Sequence, residues 1–272
     1  MGGGDQVDVV AEAVSSIESL MSAGQLDAAL AAADQLTQSS PHVAEGHYWK
    51  GRLHLERVPG EVEADADPTG DEIAAVDAFE QALSVNPRHA LSAVGLGDLF
   101  SRRVRSSSKP AGVDDPESPY ALSLAAYEKA VMIDPALPAA QRRLAEFLAR
   151  TGAGDQAETA YRAAIDAAAT IPEIAPDCYM AYGRFLAEGA RLEEAMDQFE
   201  LAEMFRQDDA TIRMEMAKVQ WRIGDAHLRK NELSLAQAAL EKADRLFPDK
   251  NVEEAQKTAQ ALQRLQSIRG RR

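Results

Sequence analysis

Apolar residues recur along the chain at spacings of three and four, which is the pattern of amphipathic helices, and several of these segments end at a proline. A small residue lies twelve positions before the proline, a larger or second small apolar residue lies eight before it, and usually an alanine lies five before it. Proline cannot continue the hydrogen-bond ladder of a helix, so each set predicts a helix with a defined end. The sets are Ala29, Ala33, Leu36, Pro41; Ala75, Phe79, Ala82, Pro87; Ser123, Tyr127, Ala130, Pro135; and Ala236, Leu240, Ala243, Pro248, with two more that lack the proline, Ala157, Tyr161, Ala164 and Ala195, Phe199, Ala202.

Each of these helices follows another helical segment, in which a small residue precedes a ring or a large apolar residue by three positions. The small residue allows two helices to approach closely, and the large side chain fills the space beside it. The first segment is degenerate, with Ser16, Ile17 and Leu20. The other pairs are Gly51 with His54, Gly97 with Phe100, Ala145 with Leu148, Gly183 with Leu186, and Gly224 with His227.

Together the two patterns resemble the tetratricopeptide repeat (TPR) family, whose units carry L-G-x2-Y in the first helix and A-x3-F…P in the second. The resemblance implies an all-α fold, a right-handed α-solenoid of about six TPR-like helix pairs with a C-terminal capping helix. Residues 1–9 are expected to be disordered and residues 251–272 to form the capping helix and a basic tail. The units are expected near residues 10–43, 44–89, 90–137, 138–171, 176–209 and 210–250.

Two units contain insertions between their helices. The two small residues lie 12 positions apart from Ala145 to Ala157, but 24 apart from Gly51 to Ala75 and 26 apart from Gly97 to Ser123. The inserted residues, 57–72 and 101–119, are rich in Pro, Gly, Ser and Asp and are therefore predicted to be loops. Because both occupy the turn within a unit, we expect them to lie side by side on one edge.

The net charge of the chain limits the classes of partner that we expect. The formal net charge is −15 at pH 7, and residues 1–90 hold 16 acidic and 4 basic side chains. This balance argues against nucleic acid and against an anionic membrane surface as partners. No apolar stretch approaches the length of about 18 residues that a membrane span needs, and the first residues have neither a basic head nor an apolar run. With a single cysteine, Cys178, the chain is expected to be cytoplasmic, while a signal peptide already removed is left open.

The search for catalytic and ligand motifs gives no candidate. Gly95 and Gly97 lack the third glycine and the preceding strand of a dinucleotide motif and are read as helical. His47 and His54 lie seven apart on one helix and are read as packing residues in preference to metal ligands. We therefore expect no enzyme activity, no cofactor and no metal.

The expected function is a protein–protein interaction scaffold or adaptor. In a stack of such units the first helices line the concave groove, and residues beside the packing stripe point into it. Arg and Trp commonly anchor partners, so the groove is predicted to bind a protein or peptide, an acidic segment with an apolar anchor. The predicted groove residues are Tyr48, Trp49, Arg52, Arg142, Arg143, Met180, Arg184, Lys218, Trp221 and Arg222.

Two other interpretations stay open at this point. These side chains could instead be solvated helix residues, with the Trp rings packed between neighbouring repeats. The protein could also be a permanent structural subunit or assembly factor of a larger complex, with contacts through the edge loops and the acidic N-terminal third.

Overall fold

The computed structural model describes residues 3–63, 66–104 and 115–269, and all regular secondary structure in these ranges is helical. In these ranges thirteen helices follow one another as six successive pairs and a last single helix, which confirms the predicted all-helical fold. The helices are α1 Gly3–Ser22, α2 Leu26–Ser39, α3 Ala44–Arg57, α4 Gly70–Val85, α5 Ala90–Ser101, α6 Pro119–Ile133, α7 Pro138–Arg150, α8 Gly154–Ala168, α9 Ala175–Glu188, α10 Leu192–Phe205, α11 Ala210–Arg229, α12 Leu233–Leu246 and α13 Glu253–Arg269.

The chain divides into two compact units, residues 1–167 and residues 168–272. In the first unit, α1 packs on α2, α3 on α4 and α5 on α6, and each second helix also contacts the next first helix. The first helices α1, α3, α5 and α7 touch in succession, whereas among the described residues α2, α4 and α6 do not touch one another. Helices that are closer on one side than on the other form a curved layer, so the first helices line the inner side of this unit.

The second unit repeats this arrangement with fewer helices. Helix α9 packs on α10 and α11 on α12, while α9, α11 and α13 touch in succession. The last helix covers the apolar side of the preceding pair: Leu265 packs with Leu240 and Ala236, and Ala255 lies in one cluster with Phe247. Helix α13 is thus the predicted capping helix, because it shields a face that would otherwise meet water.

Close approach of glycine to a ring holds three of the helix pairs together. A Cβ atom added to Gly51 of α3 would lie 2.7 Å from the ring of Phe79 on α4, and one added to Gly97 of α5 would lie 2.5 Å from the ring of Tyr127 on α6. Both rings are almost completely buried. In the second unit, Gly183 meets Phe199 in the same way. The small and large residues of the sequence pattern are therefore direct packing partners.

Helix ends follow local sequence signals. Thr69 caps α4 in a capping box, in which its hydroxyl accepts from the Glu72 backbone N–H while the Glu72 carboxylate accepts from the Thr69 N–H. At the other end of α4, Asn86 is extended, as the residue before Pro87 prefers to be. These signals fix both ends of α4, the helix that follows the first insertion.

The N-terminal expectation was wrong for the residues that the structure describes. Residues 1–9 were expected to be disordered, but α1 begins at Gly3. The segment after Gly4 contains no proline and continues the apolar spacing of the helix through Val7 and Val10. Helix α4 likewise begins at Gly70, inside the insertion expected over residues 57–72.

Two arginines that directly follow α5 bind the described part of the first insertion. Most of the second insertion, residues 105–114, lies outside the described residues, so the expected side-by-side placement stays a prediction. Arg102 donates through Nη1 to the carbonyl oxygens of Leu55, at 2.7 Å, and Val58. Its own carbonyl oxygen accepts from the Val62 N–H at 2.9 Å. We call this set of bonds, together with those of Arg103 described below, the loop clasp. The described part of the first insertion is therefore held in place by the start of the second.

The contact between glycine and ring gives a stability prediction. Gly51→Ala should lower the free energy of unfolding by about 1–3 kcal/mol, because the new methyl group overlaps the Phe79 ring and must push the helices apart. Urea unfolding measures the change. Gly70→Ala is the matched control, since no atom lies within 4 Å of its added Cβ. It should leave stability unchanged or raise it by up to about 1 kcal/mol. Equal effects of the two substitutions would contradict the packing argument.

Candidate partner-binding face

The inner helices of each unit present a surface that we call the first-helix face, formed by α1, α3, α5 and α7 in the first unit and by α9, α11 and α13 in the second. On five of these helices the residue directly after the small packing residue is charged. One residue along a helix is a rotation of about 100°, so this residue lies beside the packing contact and not in it. The five residues are Arg52, Asp98, Glu146, Arg184 and Asp225.

In the first unit these positions are joined into a network. The Asp98 carboxylate accepts a 2.8 Å hydrogen bond from the Tyr127 hydroxyl, and its Oδ1 lies 3.5 Å from Nε of Arg143. Arg143 also binds the Glu146 carboxylate at 3.1 Å. The network therefore connects the first helices α5 and α7 with the second helix α6.

Asp98 has an unusual environment for a carboxylate. Burial raises its pKa, against the opposing effects of the Arg143 guanidinium and the hydrogen bond from Tyr127. Burial also raises the pKa of Tyr127, which keeps this hydroxyl protonated and able to donate. The pair is thus a polar site set into the otherwise apolar contact between α5 and α6.

Tyr48, Trp49 and Met180 were predicted to face the groove, and the structure corrects this prediction. They are only 7%, 9% and 6% exposed. Tyr48 and Met180 each lie three residues before a packing glycine, and residues three apart share one side of a helix. Tyr48 therefore points at the partner helix, where its ring centroid lies 6.2 Å from that of Phe79.

Trp49 is buried for a related reason. Its ring meets the Tyr48 ring edge-on, with 5.4 Å between the centroids. It also belongs to the same core cluster as Ile17 of α1. The interpretation of Trp as a packing residue between repeats, which the sequence left open, is correct for Trp49.

Three predicted arginines of the first unit do lie on the first-helix face, but each has a partner within the chain. Arg52 lies 3.6 Å from the Glu56 carboxylate, and Arg142 binds Glu146 at 2.6 Å. Arg143 binds Asp98 and Glu146, and its side chain is 42% exposed. Their positive charges are therefore balanced internally rather than presented unpaired to a partner.

In the second unit, four of the predicted residues line one groove of about 320 Å³ on the first-helix face: Arg184, Lys218, Trp221 and Arg222. Arg184 and Lys218 share the Glu215 carboxylate, at 3.2 and 3.7 Å. Arg222 donates to the Ala187 carbonyl oxygen at 2.6 Å and so ties α11 to the end of α9.

Trp221 forms a boundary of this groove. It is half-buried, and Nζ of Lys257 on α13 lies 5.9 Å from its ring centroid, close enough for a cation–π contact. The acids Glu188 and Glu254 line the groove as well, so it is mixed in charge.

Sequence reasoning missed Asp98, Tyr127 and Glu215 as members of the site. A signal for Asp98 was available, because it follows Gly97 as Arg52 follows Gly51 and Arg184 follows Gly183. Tyr127 was assigned to packing alone, and the hydrogen bond of its hydroxyl depends on a contact between helices that no local pattern reveals.

Other expected features can also be placed. His54, read as a packing residue, is partly buried and lies with Nδ1 2.7 Å from Asp71 Oδ1, a contact between α3 and α4. Cys178 is buried. The described residues include no group of three or more His, Cys, Asp or Glu side chains placed to hold a metal ion. None of the described helices combines the length and apolar composition that a membrane span requires.

Comparison with known proteins agrees with this architecture. Residues 17–74 and residues 217–250 each match a family model described as tetratricopeptide repeat. The sequence matches no curated protein.

Three solved structures illustrate the likeness of fold. TTC0263, a thermophilic TPR protein of Thermus thermophilus, aligns with a TM-score of 0.60 at 19% identity, over 76% of this chain and 97% of that one. PilW, a type IV pilus biogenesis factor, aligns with a TM-score of 0.59 at 17% identity, over 92% and 98%. A chain of the APC/C hetero-tetramer Cut9–Hcn1 gives 0.59 at 12% identity, over 93% of this chain and 42% of that one, so this protein spans less than half of its length.

Helix pairs joined by small and large packing residues define a class of helical repeat proteins. With two segments matching its models and helix pairs in both units, the chain contains tetratricopeptide repeats and has the fold of this class.

The Asp98 environment gives a pH prediction. A carboxyl group whose pKa is raised in the folded state stabilises the fold while it is protonated, and this contribution is lost as pH rises through the folded-state pKa. Asp98→Asn keeps an acceptor for Tyr127 but does not ionise. The stability of the parent relative to this variant should therefore fall as pH rises from about 4, the ordinary Asp pKa, to neutrality.

Urea unfolding at a series of pH values measures this difference. The matched control is Glu80→Gln, an exposed acid on α4, which should show a constant difference from the parent. A parent that gains stability relative to Asp98→Asn as pH rises would refute the predicted sign.

Proposed function

We propose that this protein is an interaction scaffold that holds a segment of a partner protein on its first-helix face. The observation that carries the proposal is the register of charged residues there: within each unit, successive first helices each place one charged side chain beside their packing contact. A row of side chains at one register on a stacked scaffold suits an extended or helical segment that crosses the helices. The TPR fold supports the general role, since its members commonly bind proteins or peptides.

The groove of the second unit favours an acidic segment with an apolar anchor. Arg184 and Lys218 share the single carboxylate of Glu215, and the Arg184 side chain is 47% exposed. A carboxylate from a partner could bind the Arg184 guanidinium in place of Glu215 or beside it, and such charged hydrogen bonds are among the strongest in proteins. The half-buried Trp221 ring offers an apolar contact in the same groove.

A permanent structural subunit is the second candidate function, and a different observation favours it. Large apolar side chains are exposed on second helices: Met132 is 82%, Met204 is 74% and Leu235 is 53% exposed. Apolar groups in water are stabilised when another protein covers them, and obligate complexes cover more of them than transient ones do. One of the structurally similar chains belongs to a hetero-tetramer, Cut9–Hcn1.

The remaining parts of the proposal concern nucleic acid as a partner, enzyme activity and location. The net charge of −15 supports protein rather than nucleic acid as partner. The absence of enzyme activity stays a prediction, supported by the scaffold role that is general among TPR proteins. A cytoplasmic location also stays a prediction, and it depends on the single cysteine.

Photo-crosslinking tests which face carries the partner. p-Benzoylphenylalanine is placed at Arg52 or Arg184 on the first-helix face and, as control, at Met132 or Met204 on second helices. We expect the same partner protein to be captured in cells from first-helix positions and not from the controls. Capture from the second-helix positions alone would refute the groove proposal and favour the permanent subunit.

The captured partner then tests the charge preference. Arg184→Gln should weaken its affinity by roughly tenfold to a hundredfold, which is the effect of losing a hydrogen bond to a charged group. Arg191→Gln is the matched control, because Arg191 also binds a glutamate, Glu194, but lies at the start of α10. Isothermal titration measures both affinities, and equal binding by the two variants would remove the proposed role of Arg184.

A further inference from the structure

A second concave surface lies in the first unit, where the two insertions leave the helices. Its volume is about 450 Å³, within the range of pockets that bind ligands. The wall is mainly apolar and comes from α4, the end of α5 and the start of α6. We call it the edge pocket and define it by Ile73, Val76, Leu99, Phe100 and Leu122.

The wall of this pocket is fixed by an ion pair that belongs to the loop clasp. Arg103 Nη2 lies 2.8 Å from Glu72 Oε1, and the two side chains are only 12% and 6% exposed. Nη1 of Arg103 also donates to the Ala66 carbonyl oxygen at 2.6 Å. Burial alone would raise the pKa of Glu72, but the Thr69 N–H and the Arg103 guanidinium lower it, so the carboxylate stays ionised.

The loop clasp determines which charged side chains of the edge pocket remain available to a ligand. Arg103 is the one basic residue among the described lining residues, and its charge is taken up by Glu72 and by backbone carbonyls. Two acids, Asp77 and Glu117, line the pocket without an ion pair to any described residue, and both are exposed. The described rim of the pocket is therefore negative.

Ile73 adds an apolar contact at the mouth of the pocket. It is 52% exposed although it stands beside the half-buried Val76 and Phe100. Covering such a side chain removes apolar surface from water, which favours binding. A ligand that fills the pocket and covers Ile73 would thus gain from both its apolar and its charged parts.

We propose that the edge pocket binds a partner protein through a large apolar side chain flanked by Lys or Arg. The apolar side chain enters between α4 and α6, and the basic neighbours meet Asp77 and Glu117. This preference is opposite in charge to the one proposed for the groove of the second unit. The pocket is formed by α4, the start of α6 and the end of α5 beside the inserted residues, and it shares no residue with the predicted groove residues, so it is a separate interaction surface.

The first experiment uses peptides of known chemistry as probes. The full chain, isotope-labelled at its Ile, Leu and Val methyl groups, is titrated with a short Lys/Leu peptide, a Glu/Leu peptide of the same pattern and a Lys/Ser peptide. The Lys/Leu peptide should shift the methyl signals of Ile73, Val76 and Leu122 by NMR, and the other two should bind at least tenfold more weakly. Equal shifts from the Glu/Leu peptide, or no shift of these methyl groups, would overturn the proposal.

Paired variants distinguish binding in the edge pocket from non-specific binding to exposed apolar or acidic residues. Ile73→Ser and the double variant Asp77→Asn with Glu117→Gln should each weaken binding of the Lys/Leu peptide by about tenfold. Met132→Ser and Glu128→Gln, an exposed apolar and an exposed acidic position on α6 outside the pocket, should leave it unchanged. All of these positions are exposed, so the folded state should be retained, and the thermal midpoint checks it.

Sedimentation tests the other possible occupant, a second copy of this chain. The parent should remain a monomer over the concentrations used in the titration. A dimer that Ile73→Ser converts to monomer would show that the pocket is a self-association surface and would overturn the proposal.

Discussion

The contact between a ring and a glycine is the interaction on which the architecture depends. Phe79 of α4 lies against Gly51 of α3 and also against Gly95 of α5, so one ring touches both its own pair and the next. Because glycine has no Cβ, the two first helices can approach the ring from both sides, and the spacing of neighbouring pairs is set at that point. Tyr127 on Gly97 and Phe199 on Gly183 repeat the contact within later pairs.

The same contact determines what the first helices display. Once Gly51 faces the Phe79 ring, the next residue, Arg52, is turned about 100° away toward the inner side. The residue three before, Tyr48, is turned back toward the ring and becomes part of the core. Packing and the candidate site are therefore two consequences of one register, and a substitution at the glycine would disturb both.

The link between packing register and displayed residues explains how much of the fold and of the candidate site the sequence could predict. The spacing of Ala75, Phe79 and Pro87 predicted the helix pairs correctly because the spaced residues include the packing contacts themselves. These contacts repeat from unit to unit. The groove residues were predicted less well, because solvent exposure depends on which neighbour covers a helix. Trp49 and Arg143 stand at the same register, two residues before the packing residue, yet one is 9% exposed as a whole residue and the other has a side chain that is 42% exposed.

The spacing of four between Arg142 and Glu146 indicates a pair within one helix, but the pair of Arg103 with Glu72, 31 positions apart, could not be predicted from spacing. The exposure of these pairs separates two roles. Arg142 and Glu146 form a pair within one helix with side chains 24% and 32% exposed, and such surface pairs contribute only about 0.3–0.5 kcal/mol. Under the proposed function, a partner carboxylate would replace Glu146 at small cost. Arg103 and Glu72 are buried and are also bound to backbone groups, so removal of either would leave a buried charge without compensation. The first kind of pair leaves a surface open to exchange, whereas the second fixes the shape of the pocket beside it.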